Sequence, residues 1–228
     1  MKQNDNQINL PDFRPCPQAV AIDIDGTLLD SRSQLSRRNA GAIEKCLERG
    51  MPIIIATSRA ARSVRRLLGE TIANGCSLIC QNGAIGIGKA PLSGRIKEII
   101  PPEIINDLIA VILEMEPKIR ITAEIEGLEF GTNNPRDPAT LWEVNSATPD
   151  MQMSLEEALK REPAKFALGG LNRDISHVAA EISKRFGNYL SVIGEGKKTF
   201  LNITCKTATK ANTLRRLLQT KNISLDNV

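Results

Sequence analysis

The chain has 228 residues, 41% hydrophobic and 25% charged, which is enough apolar material for one large or two small domains with a genuine core. Aromatic residues make up only 3%, and a net charge of +4 is spread along the chain without interleaved stacking rings, which argues against a nucleic-acid partner. A mild positive balance suits a small anionic ligand instead.

The polar start, Met1 to Gln7, lacks a signal-peptide core, and no apolar run approaches the roughly 20 residues of a membrane span, so a disordered leader into a cytoplasmic protein with no membrane partner is expected. The first element is the apolar run Ala19 to Ile22, continued to Ile24 as a buried strand, and Asp23-Ile24-Asp25-Gly26-Thr27 sits at its mouth. Carboxylates at the end of a parallel strand lie in the crevice where open α/β sheets bind ligands, and the amides that follow can face an anion. The first could attack phosphorus and the second could handle the proton. The plainer reading is that Asp23 and Asp25 cap a turn.

Ser36 is placed to cap a helix with Ala40, Ile43 and Leu47 on one face, stopped at Gly50. Pro52 to Ala56 is a second continuous apolar run, ended by Thr57, whose hydroxyl can donate to a phosphate oxygen. Arg59 opens an arginine-rich helix with Arg62, Arg65 and Arg66, which reads either as a solvated basic face or as a substrate contact. Asn82-Gly83 is a turn dipeptide. Pro102 opens a helix carrying Ile105, Leu108, Ile109 and Ile112, whereas Ile119 to Glu126 alternates strictly and predicts a sheet with one wet face. Thr132 to Pro138 is the most loop-like stretch, either a plain surface connection or an overhang of the site; Trp142 and Glu143 read as packing or as substrate contacts. Asp174 to Phe186 is a second backing helix, and its His177, the sole histidine, reads as a surface or packed residue. Lys210 opens a last amphipathic helix through Ala211, Leu214, Leu217 and Leu218. Five cysteines, Cys16, Cys46, Cys76, Cys80 and Cys205, form no C-x-x-C pair and leave one unmatched, as for reduced thiols; with one histidine they assemble no zinc site.

Taken in order, Asp23 to Thr27, Thr57, Cys80-Gln81-Asn82-Gly83-Ala84 and Lys210 resemble the motifs of the haloacid dehalogenase (HAD) superfamily. Ala56-Thr57-Ser58-Arg59 is similar to the A-T-G-R signature of its Cof-type (HAD-IIB) branch, with Ser58 where that branch usually has glycine. The resemblance implies an α/β fold with a Rossmann-like parallel-sheet core and an inserted α+β cap, an antiparallel sheet backed by helices. Its expected division is core over residues 1–84, cap over 85–203 and core again over 204–228. It also implies a Mg²⁺-dependent phosphatase acting on small phosphorylated metabolites, sugar phosphates among them, through an aspartyl phosphate. Asp23 would be the nucleophile and Asp25 the acid and base, with Thr57, Ser58 and Lys210 on the phosphate and Arg59 and Asn82 as substrate contacts. The metal would lie at Asp23 and Asp25, the latter through its backbone carbonyl. The sequence reaches Val228 before the family's fourth, acidic motif, so a C-terminally shortened hydrolase is expected, with residues 18–24 at a sheet edge. The alternative is a protein of the same fold that binds a phosphorylated ligand or a partner without turning it over.

Overall fold

The computed structural model describes residues 16–195 and 199–228, so the leader expected over residues 1–7 lies outside the described residues. Its first half runs β1 (Val20–Ile22), α1 (Arg37–Glu48), β2 (Ile53–Ala56), α2 (Ala61–Leu68), α3 (Glu70–Gly75), β3 (Ser77–Cys80), β4 (Ile85–Ile87) and β5 (Arg95–Lys97). There follow α4 (Pro102–Met115), β6 (Arg120–Ile125), β7 (Glu129–Thr132), α5 (Pro138–Asn145), β8 (Gln152–Ser154), α6 (Leu155–Leu159), β9 (Lys165–Gly169), α7 (Ser176–Phe186), β10 (Leu190–Glu195), β11 (Phe200–Cys205) and α8 (Lys210–Gln219).

Two sheets result, in the orders β1-β2-β3-β4-β5 and β10-β11-β9-β6-β7-β8. In the first, β1, β2 and β3 are parallel, while β4 and β5 add on antiparallel. The continuous apolar run of β2 is explained by cover on both faces. Ile53 and Ile55 pack with Val64, Leu68 and Ile72 on one side, and Ile54 packs with Leu217 and Leu218 of α8 on the other. Each such isoleucine withdraws apolar surface worth about 1.5–3 kcal/mol. The crossover helix α1 starts where Ser36 Oγ accepts from the Asn39 amide at 3.1 Å, and the chain leaves it at Gly50, whose φ of +74° a side chain would resist.

The second sheet shows why β6 alternates. Ile121, Ala123 and Ile125 pack against Ile105, Leu108, Val178 and Ile182 of the backing helices α4 and α7. Arg120, Thr122 and Glu124 therefore occupy the opposite face, which looks toward the first sheet. This sheet, expected to be antiparallel, carries one parallel pair, β7 with β8.

The first sheet continues past residue 85. After β3 the tight turn Gln81–Gly83 folds the chain back, and β4 takes β3 as its hairpin partner before β5 extends the same sheet. The second sheet begins at Arg120 and ends at Cys205. β1 lies at the end of the first sheet's strand order. All five cysteines are free, with Cys76 and Cys80 buried.

Candidate active site

The strand β1 stops at Ile22, two residues earlier than the sequence suggests, and Asp23 leaves it with extended dihedrals (φ −77°, ψ 152°). Its Oδ1 accepts from the Ile24 amide at 2.8 Å, and its Oδ2 pairs with Lys210 Nζ at 3.1 Å. The chain then makes a wide turn over Ile24–Leu28, closed by the Leu29 amide on the Ile24 carbonyl, with Gly26 at φ +72°. This turn presents Asp25 to Arg59. Arg59 Nε donates to Asp25 Oδ2 at 2.9 Å and its Nη2 to Oδ1 at 2.8 Å. That hydrogen bonding holds the Asp25 carboxyl below the ordinary carboxylate range, against the opposing effect of partial burial and with help from the charges of Arg59 and Lys210.

Thr57 is fully buried directly after β2. Its amide donates to the Ile79 carbonyl at 2.8 Å, and its Oγ1 accepts from the Arg59 amide at 3.1 Å, leaving the hydroxyl proton to donate elsewhere. The Gln81–Gly83 turn braces the same loop: Gln81 N donates to the Arg59 carbonyl at 2.9 Å and Asn82 N to the Thr57 carbonyl at 3.2 Å. The Nδ2 of Asn82 is buried without a hydrogen-bond partner.

Lys210 is set by its helix. Thr209 caps α8 by accepting from the Asn212 amide at 3.0 Å, and Thr213 Oγ1 donates to the Gly83 carbonyl at 2.6 Å. Gly83 (φ +104°) lies so close to the helix start that a Cβ there would come within 2.7 Å of the Lys210 nitrogen, and nearer still to the Thr209 carbonyl. Asn82-Gly83 thus holds the lysine's helix against the 57–59 loop.

A cavity of about 540 Å³ opens beside these groups, lined by Asp25, Ser58 and Arg59 from below and by Lys165, Phe200 and Asn202 from the second sheet. Lys165 Nζ donates to the Ser58 carbonyl at 3.1 Å. The three residues from above were not singled out in the sequence. The available signal was a polar residue inside an apolar strand, Lys165 before Phe166-Ala167-Leu168 and Asn202 between Leu201 and Ile203.

Two arginines of α2, Arg62 and Arg66, are not on the solvated face that one reading of the sequence allowed. Arg62 is buried, paired through both Nη atoms with Glu124 of β6 at 2.7 and 2.8 Å, and stacked 4.7 Å from the Phe130 ring centre. Burial raises the Glu124 pKa, but the charge and hydrogen bonds of Arg62 prevail and leave it lowered. Arg66 donates to the Trp142 carbonyl, pairs with Glu143 and lies 5.2 Å from the Trp142 ring centre. Trp142 and Glu143 therefore dock α5 on α2. His177 is half exposed beside Glu116, at 3.3 Å.

Among the described residues, no group of three or more His, Cys, Asp or Glu side chains could hold a metal ion. Asp23 and Asp25 supply carboxylate and carbonyl oxygens only. Since Mg²⁺ is commonly held by one or two carboxylates completed by substrate phosphate and water, this donor set fits an ion taken up together with a phosphorylated ligand, not a closed protein cage. No helix among the described residues is long and apolar enough to cross a membrane.

A profile of haloacid dehalogenase-like hydrolases matches residues 20–228. The chain belongs to that family. Shorter stretches match curated proteins: 33% identity over 75 residues with a chloroplastic endoribonuclease of Arabidopsis thaliana, covering 33% of this chain and 13% of that one. A second match is 40% over 53 residues with the 5-amino-6-(5-phospho-D-ribitylamino)uracil phosphatase of Bacillus subtilis, covering 23% and 18%. The matched stretches thus span less than a fifth of either relative's length. Among solved structures, a haloacid dehalogenase-like hydrolase from Bacteroides thetaiotaomicron superposes with a TM-score of 0.76 at 22% identity, over 93% of this chain and 80% of that one. A HAD subclass IIB sugar phosphatase superposes with a TM-score of 0.66 at 19% identity, over 92% and 78%. These two share the fold.

Proposed function

We propose that this member of the family is a phosphomonoester hydrolase acting on small phosphorylated metabolites, sugar phosphates among them. The observation that carries the reading is a pair of ion pairs two residues apart, Asp23 with Lys210 and Asp25 with Arg59, the second of which lines the cavity. In this reading Asp23 Oδ attacks phosphorus while the bond to the leaving oxygen breaks, and a protonated Asp25 gives that oxygen its proton. Lys210 offsets the repulsion between the Asp23 carboxylate and the incoming phosphate, and the Thr57 hydroxyl and the Ser58 amide donate to its oxygens. Asp25 then takes a proton from water, whose oxygen displaces the Asp23 carboxylate from phosphorus and restores both acids. Arg59 favours the ionised form of Asp25, so the donating step requires that this ion pair loosen. Mg²⁺, when bound at Asp23 and the Asp25 carbonyl, would neutralise part of the charge on the phosphoryl group.

The test is phosphate release from p-nitrophenyl phosphate with and without Mg²⁺. We expect metal-dependent turnover that Asp23→Asn lowers by about a thousandfold or more. Turnover surviving that substitution would remove the nucleophile and the proposal with it. A second reading, ligand binding without hydrolysis, is favoured by the engagement of both acids by cations at rest; it predicts saturable phosphate-ester binding and no release.

A further inference from the structure

The core-facing side of the second sheet carries two arginines that nothing at the catalytic end accounts for. Arg120 opens β6 and, four residues before Glu124 on an unbroken ladder, points to the same face. Its Nε is buried from solvent and has no hydrogen-bond partner. Arg136 lies in the loop after β7, the stretch that the sequence marks as a connection or an overhang.

That loop is fixed. Asn133 accepts from the Ile121 amide at 2.8 Å and donates to the Ile119 carbonyl at 2.9 Å, straddling Arg120. Gln152 grips both ends of Arg136, accepting from its amide at 3.0 Å and donating to its carbonyl at 3.2 Å. The loop that carries Arg136 is thereby pinned beside the start of β6 at Arg120, and burial, with the charge of Arg120 added, depresses the Arg136 pKa. Neither is joined to a carboxylate in any ion pair among the described residues. A folded chain that places two arginines on adjoining segments without carboxylate partners and leaves a buried donor unsatisfied has an arrangement that an oxyanion would relieve.

The register connects this pair to the cavity. Arg120 lies opposite Gly169 of β9, which lies opposite Phe200 of β11. The next row is Thr122, Ala167 and Asn202, so small residues floor the space between Arg120 and the cavity wall of Phe200 and Asn202. A Cβ at Gly169 would touch only the Arg120 stem, at 3.7 Å. At about 4.8 Å per strand, the Arg120 backbone is roughly 10 Å from that of Phe200, within the span of a small metabolite and an arginine side chain.

We propose that Arg120 and Arg136 form a second oxyanion subsite, which selects substrates whose leaving group carries a further phosphate or carboxylate at the end remote from the reacting phosphate. The proposal rests on the phosphatase reading only for what sits at Asp23. It narrows the substrate class from phosphate esters in general to doubly anionic ones.

The test measures binding by calorimetry to the Asp23→Asn chain, which retains the cavity but not the nucleophile. The probes are a hexose monophosphate, the corresponding bisphosphate and the corresponding phosphorylated aldonic acid. The two-anion probes are expected to bind about ten- to hundredfold more tightly than the monophosphate, the range for hydrogen bonds between charged groups. Arg120→Gln and Arg136→Gln, made separately so that misfolding of one does not decide the matter, should each cut that preference about tenfold, with a smaller effect on the monophosphate. Whether the bisphosphate or the aldonic acid gains more assigns the second group as phosphate or carboxylate. Equal affinity for one-anion and two-anion probes, failure of the two-anion probes to bind, or a preference untouched by both substitutions overturns the subsite. Phosphate release by the parent chain is scored separately. Tight, arginine-dependent binding without release keeps the subsite and removes the hydrolase reading, and release without a two-anion preference does the reverse.

Discussion

At the scale of single residues, the site is governed by which cation holds which acid. Asp25 is pulled into the ionised form chiefly by the two-pronged hydrogen bond from Arg59, and both side chains are more than a third exposed. Replacing Arg59 by Gln should return the Asp25 pKa toward the usual carboxylate value of about 3.9. Carboxyl-resolved NMR titration would read this as an upward move of the Asp25 midpoint relative to the parent. The sign of the linked stability follows. Because the folded pKa is depressed, the pair stabilises the fold above the unfolded carboxylate value and loses that contribution as pH falls through the folded one. The parent should therefore melt slightly above Arg59→Gln near neutrality, by about 0–1 kcal/mol for so exposed a pair, and the gap should close on acidification. An Asp25 midpoint unaffected by the substitution would mean that Arg59 is not its controlling partner.

At the scale of elements, the legible parts of the fold were those whose cause is local. The continuous run Ile53-Ile54-Ile55 and the alternation of β6 each carry the signature of their own burial, and Ser36 and Gly50 mark the ends of α1 through backbone chemistry within one turn. What escaped depends on partners distant in sequence. Ile85 to Ile87 is too short to declare which sheet it joins, and Lys165, Phe200 and Asn202 reach the cavity only through the register of β9 and β11. Arg62 and Arg66 of α2 have the same spacing whether they face water or, as here, Glu124, Trp142 and Glu143. Asn82-Gly83 was readable as a turn, but not as the surface on which α8 rests. Gly83→Ala should therefore do more than strain a φ of +104°: its methyl group would push the Thr209–Lys210 backbone away and carry Lys210 from Asp23. We expect a stability loss of about 1–3 kcal/mol in urea titration, and turnover of an aryl phosphate reduced about a hundredfold by the misplaced charge. Turnover equal to the parent's in the folded variant would show that the close approach does not position the lysine.

At the scale of the molecule, the two sheets are joined by groups that are expensive to separate. Arg62 enters the second sheet with its charge buried, satisfied by Glu124, by the Leu128 carbonyl at 3.0 Å and by the Asn145 carbonyl at 2.9 Å, while Gln81 Nε2 reaches Glu124 from the first sheet at 3.4 Å. Lys165 adds its bond to Ser58, and Arg66 holds α5. Parting the sheets would leave a buried carboxylate and a guanidinium to be resolvated separately, so the halves should unfold together. Trp142 is the sole tryptophan of the chain and sits at this seam, which makes its fluorescence a reporter of separation. In the parent, fluorescence and far-ultraviolet circular dichroism should follow one urea transition. Arg62→Met leaves Glu124 buried without its main partner and should cost about 3–5 kcal/mol, with the fluorescence transition moving ahead of the dichroism. Adding Glu124→Leu to Arg62→Met removes the stranded charge and should recover most of that loss. If the single variant unfolds as late as the parent, the seam is held by its apolar contacts and the ion pair contributes little.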